Sequence, residues 1–342
     1  MLYLNDEHIR AIGADWPSLA TLVERTAALL GTSEAVQPLK PYLRFREPGN
    51  RIIAMPAFVG GETEMSGIKW IASFPGNVER GLPRAHGSIV LNDPATGAPE
   101  AFLCGSRLNE LRTAAVSAAM LRSYLQLGRR ERCRVGIIGW GPIGKAHYDM
   151  IAAMFGDQVE CFRLFDVRGI DPATFGGDPR RPETMASESR QGEASAGGLS
   201  RRETVVCGSW QEVYRESDIV ATCTVSPSRY IDERPAPGSL LLNVSLRDYE
   251  PSSATGTRVV VDDWREVCRE NTDVERMHLE EGLKERDALT LREAIAGDGL
   301  RSLEPEVPIF FNPMGMAAFD IAVAARYWRE AVRRDIGIRL EA

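Results

Sequence analysis

Histidine and cysteine are scarce in this 342-residue chain, and neither gathers into a recognisable cluster. The four histidines include no His-Glu-x-x-His pattern, and the six cysteines are scattered with no Cys-x-x-Cys pair. Zinc sites and thiol redox centres are built from such groupings, so the sequence predicts no metal site and no disulfide framework. The cysteines are expected to be reduced thiols, as in a cytoplasmic protein.

Long apolar runs and a surplus of basic residues are absent as well. No stretch approaches the roughly 18 apolar residues of a membrane span, and residues 1–7 lack the basic start and apolar core of a signal peptide. The formal net charge of −7 argues against broad nucleic-acid binding, which needs a basic surface. We therefore expect a cytoplasmic protein with neither a nucleic-acid nor a membrane partner. Its 44% hydrophobic and 26% charged residues are typical of a globular protein, and the chain is long enough for two domains.

Residues 135–263 alternate short apolar runs with helix-like segments, which is the pattern of a parallel sheet covered by helices on both faces. Ser209 and Glu212 are spaced as a capping box, which predicts the start of a short helix. Six runs are predicted as strands: 135–138, 159–165, 204–207, 219–224, 240–244 and 259–261. Six strands in this arrangement suit a complete Rossmann sheet.

The regions before and after residues 135–263 have a different sequence pattern. An amphipathic helix near residues 19–30 precedes three predicted strands and a helix that Ser106 opens, which are 51–56, 67–73, 88–92 and 106–125. A single helix after a complete Rossmann unit commonly packs back on the first domain, and residues 315–332 are strongly helical. The predicted fold class is therefore α/β, with a Rossmann domain over 129–312 and a discontinuous α+β domain of 1–128 and 313–342. Residues 168–202, rich in Gly, Ser, Pro, Arg and Glu, are predicted to be a mobile surface insertion.

The most informative stretch is the glycine turn at residues 139–144, directly after the first predicted strand. Its glycines permit a tight strand-to-helix turn and let the backbone approach a pyrophosphate, which the amides of the next helix then face. Asp166 ends the second predicted strand, where a carboxylate can bind both adenosine ribose hydroxyls and repel a 2′-phosphate. The predicted cofactor is thus NAD, although Arg168 keeps NADP open and an ordinary glycine turn is the alternative. The predicted contacts are Gly139, Gly141, Pro142, Ile143, Gly144 and Asp166.

The first domain also carries clustered cations. Lys69 and Arg112 are flanked by apolar or small residues, and a charge in such a setting normally needs an anionic partner. An arginine fork can hold a substrate carboxylate through two hydrogen bonds. Lys40, Arg44 and Arg51 belong to the same group of cations. Most lysines and arginines are solvated surface groups. Spacing alone therefore leaves open whether these cations bind a substrate carboxylate or are ordinary surface residues.

Four segments carry a resemblance to the ornithine cyclodeaminase and mu-crystallin superfamily: LRTAA at 111–115, the glycine turn, NVSLRD at 243–248 and NPMGMA at 312–317. Within it, VQPLKPYLR, SGIKWI and VVVDDW are similar to the dehydrogenases of N-((2S)-2-amino-2-carboxyethyl)-L-glutamate, which supply 2,3-diaminopropionate to siderophore and antibiotic pathways. The likeness spans nearly the whole chain and lapses at 168–202. It implies an NAD-dependent oxidation of the Cα–N bond in the glutamate half, and hydrolysis of the imine to 2-oxoglutarate and L-2,3-diaminopropionate. It also implies a homodimer that pairs through the first domain.

The resemblance assigns roles to individual residues. It implies that Asp248 takes up protons and activates the water that attacks the iminium carbon, and Asp248 lies just beyond a predicted strand, at the edge where open sheets bind ligands. Arg44, Lys69 and Arg112 match positions that bind the substrate carboxylate, and Lys69 is also a candidate for proton transfer. Thr224, in the TCTV segment, is assigned to the cofactor site. A helix-capping role for Asp248 stays open.

Two alternatives remain. An ornithine cyclodeaminase or a reductase of small imino acids would share the cofactor, the arginine of LRTAA and the acid. A non-catalytic NAD-responsive binding protein is the other, since mu-crystallin shows that this scaffold can serve as one. Arg247, next to Asp248, is either a neighbour that lowers the pKa of Asp248 or an outward-pointing side chain.

Overall fold

A computed structural model describes residues 1–47, 49–172, 175, 203–296 and 298–341 of the chain. It divides into two compact units: unit 1 comprises Met1–Ala115 with Gly315–Ala342, and unit 2 comprises Val116–Met314. The predicted domains, 1–128 with 313–342 and 129–312, differ from these units mainly in the long helix that crosses residue 115. Their separate roles stay predictions.

The strands and helices occur in the following order. The strands are β1 (Leu2–Leu4), β2 (Ala35–Val36), β3 (Tyr42–Arg44), β4 (Arg51–Val59), β5 (Met65–Ser73), β6 (Ala85–Asn92), β7 (Pro99–Cys104), β8 (Cys133–Ile138), β9 (Val159–Phe165), β10 (Glu203–Val206), β11 (Ile219–Thr222), β12 (Leu240–Asn243), β13 (Arg258–Val261), β14 (Leu289–Thr290), β15 (Ile309–Asn312) and β16 (Ile338–Arg339). The helices are α1 (Asp6–Ile12), α2 (Trp16–Leu29), α3 (Ser106–Leu125), α4 (Pro142–Phe155), α5 (Trp210–Arg215), α6 (Trp264–Val267), α7 (Asp273–Glu280), α8 (Leu291–Ile295), α9 (Asp298–Arg301) and α10 (Ala317–Arg334). Short 3-10 turns lie at Pro75–Arg80, Gly156–Gln158, Pro251–Ala254 and Glu285–Asp287.

Unit 1 is built on a mixed sheet in the order β16-β1-β7-β6-β5-β4-β2, with β3 also paired to β4. The long strands β4 to β7 are antiparallel neighbours, and Met55, Lys69 and Ile89 lie opposite one another across β4, β5 and β6. Helix α10 packs on β4, β5 and α2. Because α10 is rich in Ala, it can approach the sheet closely, and its first half is buried almost completely. This packing places an element from the end of the chain against the β5 residues.

Unit 2 contains an all-parallel sheet in the order β10-β9-β8-β11-β12-β15-β13-β14. Its central strands are continuous apolar runs, and every residue of β11, β12 and β15 is buried, as expected for strands covered on both faces. The chain runs from β8 outward to β10 and then returns to β11 on the other side of β8. The order therefore reverses between β8 and β11, which is the kind of position where open α/β sheets bind ligands.

The expectation of six strands in this sheet was incomplete. The structure adds β14 at one edge and inserts β15 between β12 and β13, so the fifth and sixth predicted strands are not neighbours. A signal for β15 was present, because Ile309, Phe310 and Phe311 form an apolar run and are fully buried.

Helix α5 begins at the predicted place, with Ser209 as its N-cap. The second half of the predicted capping box differs, because the side chain of Glu212 accepts a hydrogen bond from the N–H of Gly208 and not from that of Ser209. The predicted insertion lies outside the described residues, except for 168–172 and 175.

No helix in the described ranges is both long and apolar enough to cross a membrane. All six cysteines belong to the described part of the chain, and none of them forms a disulfide. Within the same part, no group of three or more His, Cys, Asp or Glu side chains could hold a metal ion. The predicted absence of a metal stays a prediction.

Candidate functional site

The glycine turn after β8 requires glycine at both of its ends. Gly139 has a φ of +100°, and a Cβ there would lie 2.7 Å from the carbonyl carbon and oxygen of Cys223, beyond the end of β11. A Cβ on Gly144 would lie 2.0 Å from the carbonyl oxygen of Gly139. Gly141, by contrast, has no heavy atom within 4 Å of an added Cβ. The turn is therefore packed tightly against the protein at its ends and is open in its middle.

Helix α4 begins inside this turn. Gly141 is its N-cap in an extended conformation without a side-chain cap, and Pro142 follows at the first helical position, where its missing N–H costs nothing. The first-turn amides of a helix have no intrahelical partner and carry the positive end of the helix dipole. An open glycine next to such a helix start fits a pyrophosphate. The predicted contacts Ile143 and Gly144 lie in this first turn.

Asp166 follows β9 and is tied to the glycine turn. Its Oδ2 accepts a hydrogen bond of 2.8 Å from the N–H of Trp140, and its Oδ1 accepts one of 2.9 Å from the N–H of Arg168. The guanidinium of Arg168 also contacts the carboxylate, with Nε 3.0 Å from Oδ1. Burial would raise the pKa of Asp166, but the hydrogen bonds from Arg168 and Trp140 outweigh it and hold the pKa below its usual value. Asp166, which favours NAD, and Arg168, which keeps NADP open, thus form one ion pair in which Asp166 is ionised.

Asp248 lies beyond β12 and is buried, with 1% exposure. Three hydroxyl groups donate hydrogen bonds to its carboxylate: Thr224 Oγ1 at 2.6 and 2.7 Å, Ser245 Oγ at 2.7 Å and Tyr230 Oη at 3.2 Å. Burial raises the pKa of Asp248, and these hydrogen bonds oppose the rise without cancelling it. A carboxylate with a raised pKa is well suited to accept a proton. The hydroxyl of Thr224, predicted to contact the cofactor, is directed to this carboxylate.

The backbone of Asp248 is fixed on both sides. Its N–H donates to Asp273 Oδ2 at 3.0 Å, and its carbonyl accepts from the N–H groups of Tyr230 and Ile231 at 3.0 and 2.9 Å. Asp273 is fully buried, and its Oδ1 accepts from Arg229 Nε at 2.7 Å. Burial raises the pKa of Asp273 to about 6. Asp273 therefore joins the segment that carries Asp248 to the segment that carries Tyr230.

No role is assigned to Asp273 by sequence reasoning. It follows Thr272, the N-cap of α7, and an acid in the first turn of a helix is ordinary. Arg247, left unplaced, donates to the carbonyl of Glu270 at 2.8 and 3.1 Å, and its charge lowers the pKa of Asp248 slightly against the effect of burial. The charge of Arg247 therefore acts on the pKa of Asp248, while its guanidinium is bound to the backbone of Glu270.

A second group of polar side chains lies inside unit 1. Lys69 Nζ is 2.9 Å from Asp320 Oδ1 and 2.7 Å from Asn109 Oδ1. Arg112 Nε is 2.8 Å from the same oxygen of Asp320, and a terminal nitrogen of Arg112 is 3.1 Å from Asn109 Oδ1. Lys69, Arg112 and Asp320 are all buried. Two buried cations therefore share one carboxylate oxygen, which leaves a net positive charge that an anionic ligand would balance.

Three elements bring these side chains together. Lys69 lies in β5, Arg112 in α3 and Asp320 in the first turn of α10. Burial lowers the pKa of Lys69 to about 8, against the opposing attraction of Asp320. Burial would raise the pKa of Asp320, but the charges of Arg112 and Lys69 lower it below its usual value. Asp320 was missed from the sequence, although a lone acid inside the apolar run 317–325 was a usable signal.

Of the other predicted cations, Lys40 is close enough for its charge to lower the pKa of Lys69, whereas Arg44 and Arg51 lie at the ends of their strands. Lys40 is buried and donates to the carbonyl of Gly315 at 2.8 Å. Arg44 is exposed, and its guanidinium and that of Arg51 lie 5.4 and 5.5 Å from the ring centroid of Tyr42. Arg44, Arg51 and Ser73 lie opposite one another at the ends of their strands. Ser73 is roughly 13 Å along β5 from Lys69 at about 3.3 Å per residue.

Comparison with known proteins gives a consistent result. A model of the ornithine cyclodeaminase/mu-crystallin family matches residues 16–335. The chain is 33% identical to the N-((2S)-2-amino-2-carboxyethyl)-L-glutamate dehydrogenase of Staphylococcus aureus, over 99% of this chain and 98% of the relative. It is 27% identical to the alanine dehydrogenase of Archaeoglobus fulgidus, over 93% and 92% of the two chains.

A solved structure with a similar fold is that of the Thermococcus litoralis Δ(1)-pyrroline-2-carboxylate reductase in complex with NADH and L-proline. It has a TM-score of 0.80 at 22% identity and covers 99% of this chain and 100% of its own. An archaeal alanine dehydrogenase dimer with bound NAD has a TM-score of 0.78 at 23% identity, with coverage of 100% and 99%. At these identities the two structures establish the fold, and the predicted α/β class is confirmed.

Proposed function

Because the chain belongs to the ornithine cyclodeaminase/mu-crystallin family, we propose that it is an NAD-dependent dehydrogenase of N-((2S)-2-amino-2-carboxyethyl)-L-glutamate. One substrate molecule, NAD⁺ and water give 2-oxoglutarate, L-2,3-diaminopropionate, NADH and a proton. The diaminopropionate would serve siderophore or antibiotic assembly. The observation that carries most weight is the buried pair Lys69 and Arg112, which share one carboxylate oxygen and favour a carboxylate ligand. The likeness to the Staphylococcus aureus enzyme supports the choice of substrate.

The cofactor site is proposed at the glycine turn of unit 2. The N-terminal amides of α4 and the open Gly141 would hold the pyrophosphate, and Asp166 would bind the adenosine ribose. When bound, NAD supplies the acceptor for the hydride that leaves the substrate Cα. An ionised Asp166 disfavours a 2′-phosphate, so NAD is proposed over NADP. The pairing of Arg168 with Asp166 supports this choice, because that arginine is already engaged by the acid.

Substrate carboxylates are proposed to bind in unit 1. The guanidinium of Arg112 suits two parallel hydrogen bonds to a carboxylate, and Lys69 adds an ammonium group beside it. The proposed substrate carries three carboxylates, so Arg44 is assigned to a second one. Binding by Lys69 needs its protonated form. Since burial sets the pKa of Lys69 near 8, carboxylate binding should be complete well below that pH and decline as the pH rises through it.

Asp248 is proposed to accept a proton from the water that attacks the iminium carbon. The water oxygen bonds to that carbon, and one of its protons passes to Asp248. The C–N bond then breaks as the C=O bond forms: protonated Asp248 gives its proton to the amine nitrogen, and the remaining proton on the oxygen leaves to solvent. The hydroxyls of Thr224, Ser245 and Tyr230 keep Asp248 in one orientation and stabilise its ionised form. A buried base with a raised pKa can perform this transfer near neutral pH.

A product assay tests the proposal. Supplying the amino-carboxyethyl glutamate conjugate and NAD should produce NADH absorbance together with equal amounts of diaminopropionate and 2-oxoglutarate. The control is a reaction with NADP, in which NADH-like absorbance should rise much more slowly. Absence of reduced cofactor with the conjugate, under conditions where NAD binding is measured independently, would contradict the proposal.

A second candidate is a cyclodeaminase or a reductase of small imino acids, favoured by the sequence similarity to an alanine dehydrogenase and to a Δ(1)-pyrroline-2-carboxylate reductase. A cyclodeaminase returns the hydride to its cyclic imine, so ornithine would give proline and ammonia without net NADH. Feeding ornithine and measuring proline separates the two. A non-catalytic NAD-binding protein is disfavoured, because Lys69, Arg112 and Asp248 are all present.

A homodimer and a cytoplasmic location complete the proposal. Several large apolar side chains of unit 1 are exposed, which supports pairing through this unit: Val36, Leu39, Leu43, Phe45, Trp70, Val78 and Leu82. Sedimentation at several protein concentrations tests the dimer. The free thiols support a reducing compartment.

The link from Arg229 through Asp273 to Asp248 yields a prediction. Replacing Arg229 with Gln removes a charged donor from Asp273 and should loosen the segment that carries Asp248. A displacement of a reacting group by about 1 Å can cost roughly a hundredfold in rate, so kcat should fall tenfold to a hundredfold, by that same rough measure. The matched control is Arg215→Gln, which removes an equally short pair with Glu233 on the surface. Equal kcat values for the two variants would contradict the role of Asp273.

A further inference from the structure

We infer that Asp320 is the positioning residue of the substrate-carboxylate site: its Oδ1 orients Lys69 and Arg112 together and keeps Lys69 in its ammonium form. The assignment of this site to a substrate carboxylate rests on the proposed function. The effect of Asp320 on Lys69 can be measured in the ligand-free protein. Asp320 was assigned no role from the sequence. It is not placed in contact with the substrate, so it acts through the two cations.

The two oxygens of Asp320 are used unequally. Oδ1 accepts from Lys69 Nζ at 2.9 Å and from Arg112 Nε at 2.8 Å. Oδ2 is buried and has no hydrogen-bond partner among the described residues. An unsatisfied buried oxygen is costly, and an apolar residue would avoid that cost. A carboxylate at this position is therefore explained by its two cations and not by the local packing of α10.

The remaining donors of the two cations suit a ligand. Lys69 has three N–H donors, and in the described part of the chain Asp320 and Asn109 take two of them. Arg112 uses Nε and one N–H of its fork for the same two residues. Its other terminal nitrogen lies against Gly315, where a Cβ would come within 3.0 Å of it. Asp320 and Asn109 thus bind one side of Lys69 and of Arg112. Each of the two cations keeps further N–H donors that can bind a carboxylate.

The charges around Lys69 act in opposite directions. Burial lowers its pKa to about 8, and the positive charges of Arg112 and Lys40 add to this lowering. Asp320, in the helix α10 that packs on β5, is the negative charge that opposes them. Asn109, from α3, contributes an uncharged acceptor. Without the charge of Asp320, burial and the positive charges of Arg112 and Lys40 all favour the neutral amine, and the hydrogen bond to Asn109 is left as the influence that favours the ammonium form.

The test measures the titration of Lys69 directly. The chain has only four lysines, Lys40, Lys69, Lys145 and Lys284, so ¹³Cε-lysine labelling gives a spectrum simple enough to follow one residue with pH. The Lys69 signal is identified by its loss in Lys69→Met. The wild-type signal should titrate near pH 8. In Asp320→Asn the midpoint should fall by about one pH unit or more, since a nearby opposite charge shifts a pKa by roughly 1 to 3 units.

Two further variants keep the result decisive. Glu330→Gln removes an acid from the same helix that pairs with Arg333 at the surface, and it should leave the Lys69 midpoint unchanged. Asn109→Asp places a negative charge on the second acceptor of Lys69 and should raise the midpoint, which tests the same claim if Asp320→Asn does not fold. An unchanged or raised midpoint in a folded Asp320→Asn protein, or an unchanged midpoint in Asn109→Asp, overturns the inference.

A kinetic readout then connects the titration to substrate. In Asp320→Asn, kcat/KM for the conjugate should decline at a lower pH than in the wild type, by the same shift that NMR measures, while KM for NAD stays the same. A protein that does not turn over the conjugate at all would reject the proposed function and leave the titration result standing. A titration that does not move would reject the role of Asp320 and leave the proposed function standing.

Discussion

Replacing Asp248 with Asn is expected to reduce kcat by roughly 10²-fold to 10⁴-fold, the usual contribution of a positioned proton acceptor. The amide has nearly the same shape, and with its oxygen at the position of Oδ2 it can still accept from Ser245 and Tyr230 while its NH2 group donates to Thr224, but it cannot take a proton from water. The affinity for NAD should stay nearly the same, because Asp248 bonds to these hydroxyls and the proposed pyrophosphate site is the glycine turn. Turnover is measured by product formation and NAD affinity by calorimetry.

The control for this variant is Asp232→Asn. Asp232 is an exposed carboxylate two positions beyond Tyr230, so the same chemical change there should alter neither kcat nor NAD affinity. A loss of NAD affinity in Asp248→Asn together with the loss of turnover would show that Asp248 supports the cofactor site. Near-normal turnover in Asp248→Asn would show that another group accepts the proton.

Sequence alone predicted those parts of the protein that depend on neighbouring residues. The glycine turn with the start of α4 follows from one short segment, and the placement of Asp166 directly after β9 follows from another. The same is true of helix α3, which runs over Ser106–Leu125 as predicted. Lys69 and Arg112 were singled out because apolar neighbours make a charged side chain conspicuous.

The partners of those residues could not be predicted, because they come from distant parts of the chain. Asp320 lies 251 positions from Lys69 and 208 from Arg112, and only the packing of α10 on β5 brings them together. Asp273 lies 25 positions from Asp248, and its local sequence indicates no more than a helix start. The insertion of β15 between β12 and β13 is likewise a matter of pairing, which a single apolar run does not specify. Local patterns therefore singled out the residues proposed as reactive groups, while the residues that contact them could be found only from the fold.

Alanine substitutions in the glycine turn should separate folding from cofactor binding. In Gly144→Ala the new Cβ would lie 2.0 Å from the carbonyl oxygen of Gly139, a backbone atom that cannot rotate away as the end of a flexible side chain can. Overpacking of this kind costs about 1–3 kcal/mol, so both the thermal stability of the ligand-free protein and its NAD affinity should fall. In Gly141→Ala no heavy atom lies within 4 Å of the Cβ, and φ is −79°, so the ligand-free protein should keep its stability.

The informative result is the NAD affinity of Gly141→Ala. If a pyrophosphate approaches the backbone at this position, a methyl group obstructs it, and affinity should fall by about tenfold or more, which corresponds to about 1.4 kcal/mol. Gly156→Ala is the matched control: its Cβ also meets nothing within 4 Å, and it lies at the far end of α4, so it should change neither quantity. Thermal unfolding of the ligand-free protein and calorimetric NAD titration measure the two effects. If Gly141→Ala bound NAD as tightly as Gly156→Ala, the pyrophosphate would not lie at the glycine turn, and the cofactor site would have to be sought elsewhere.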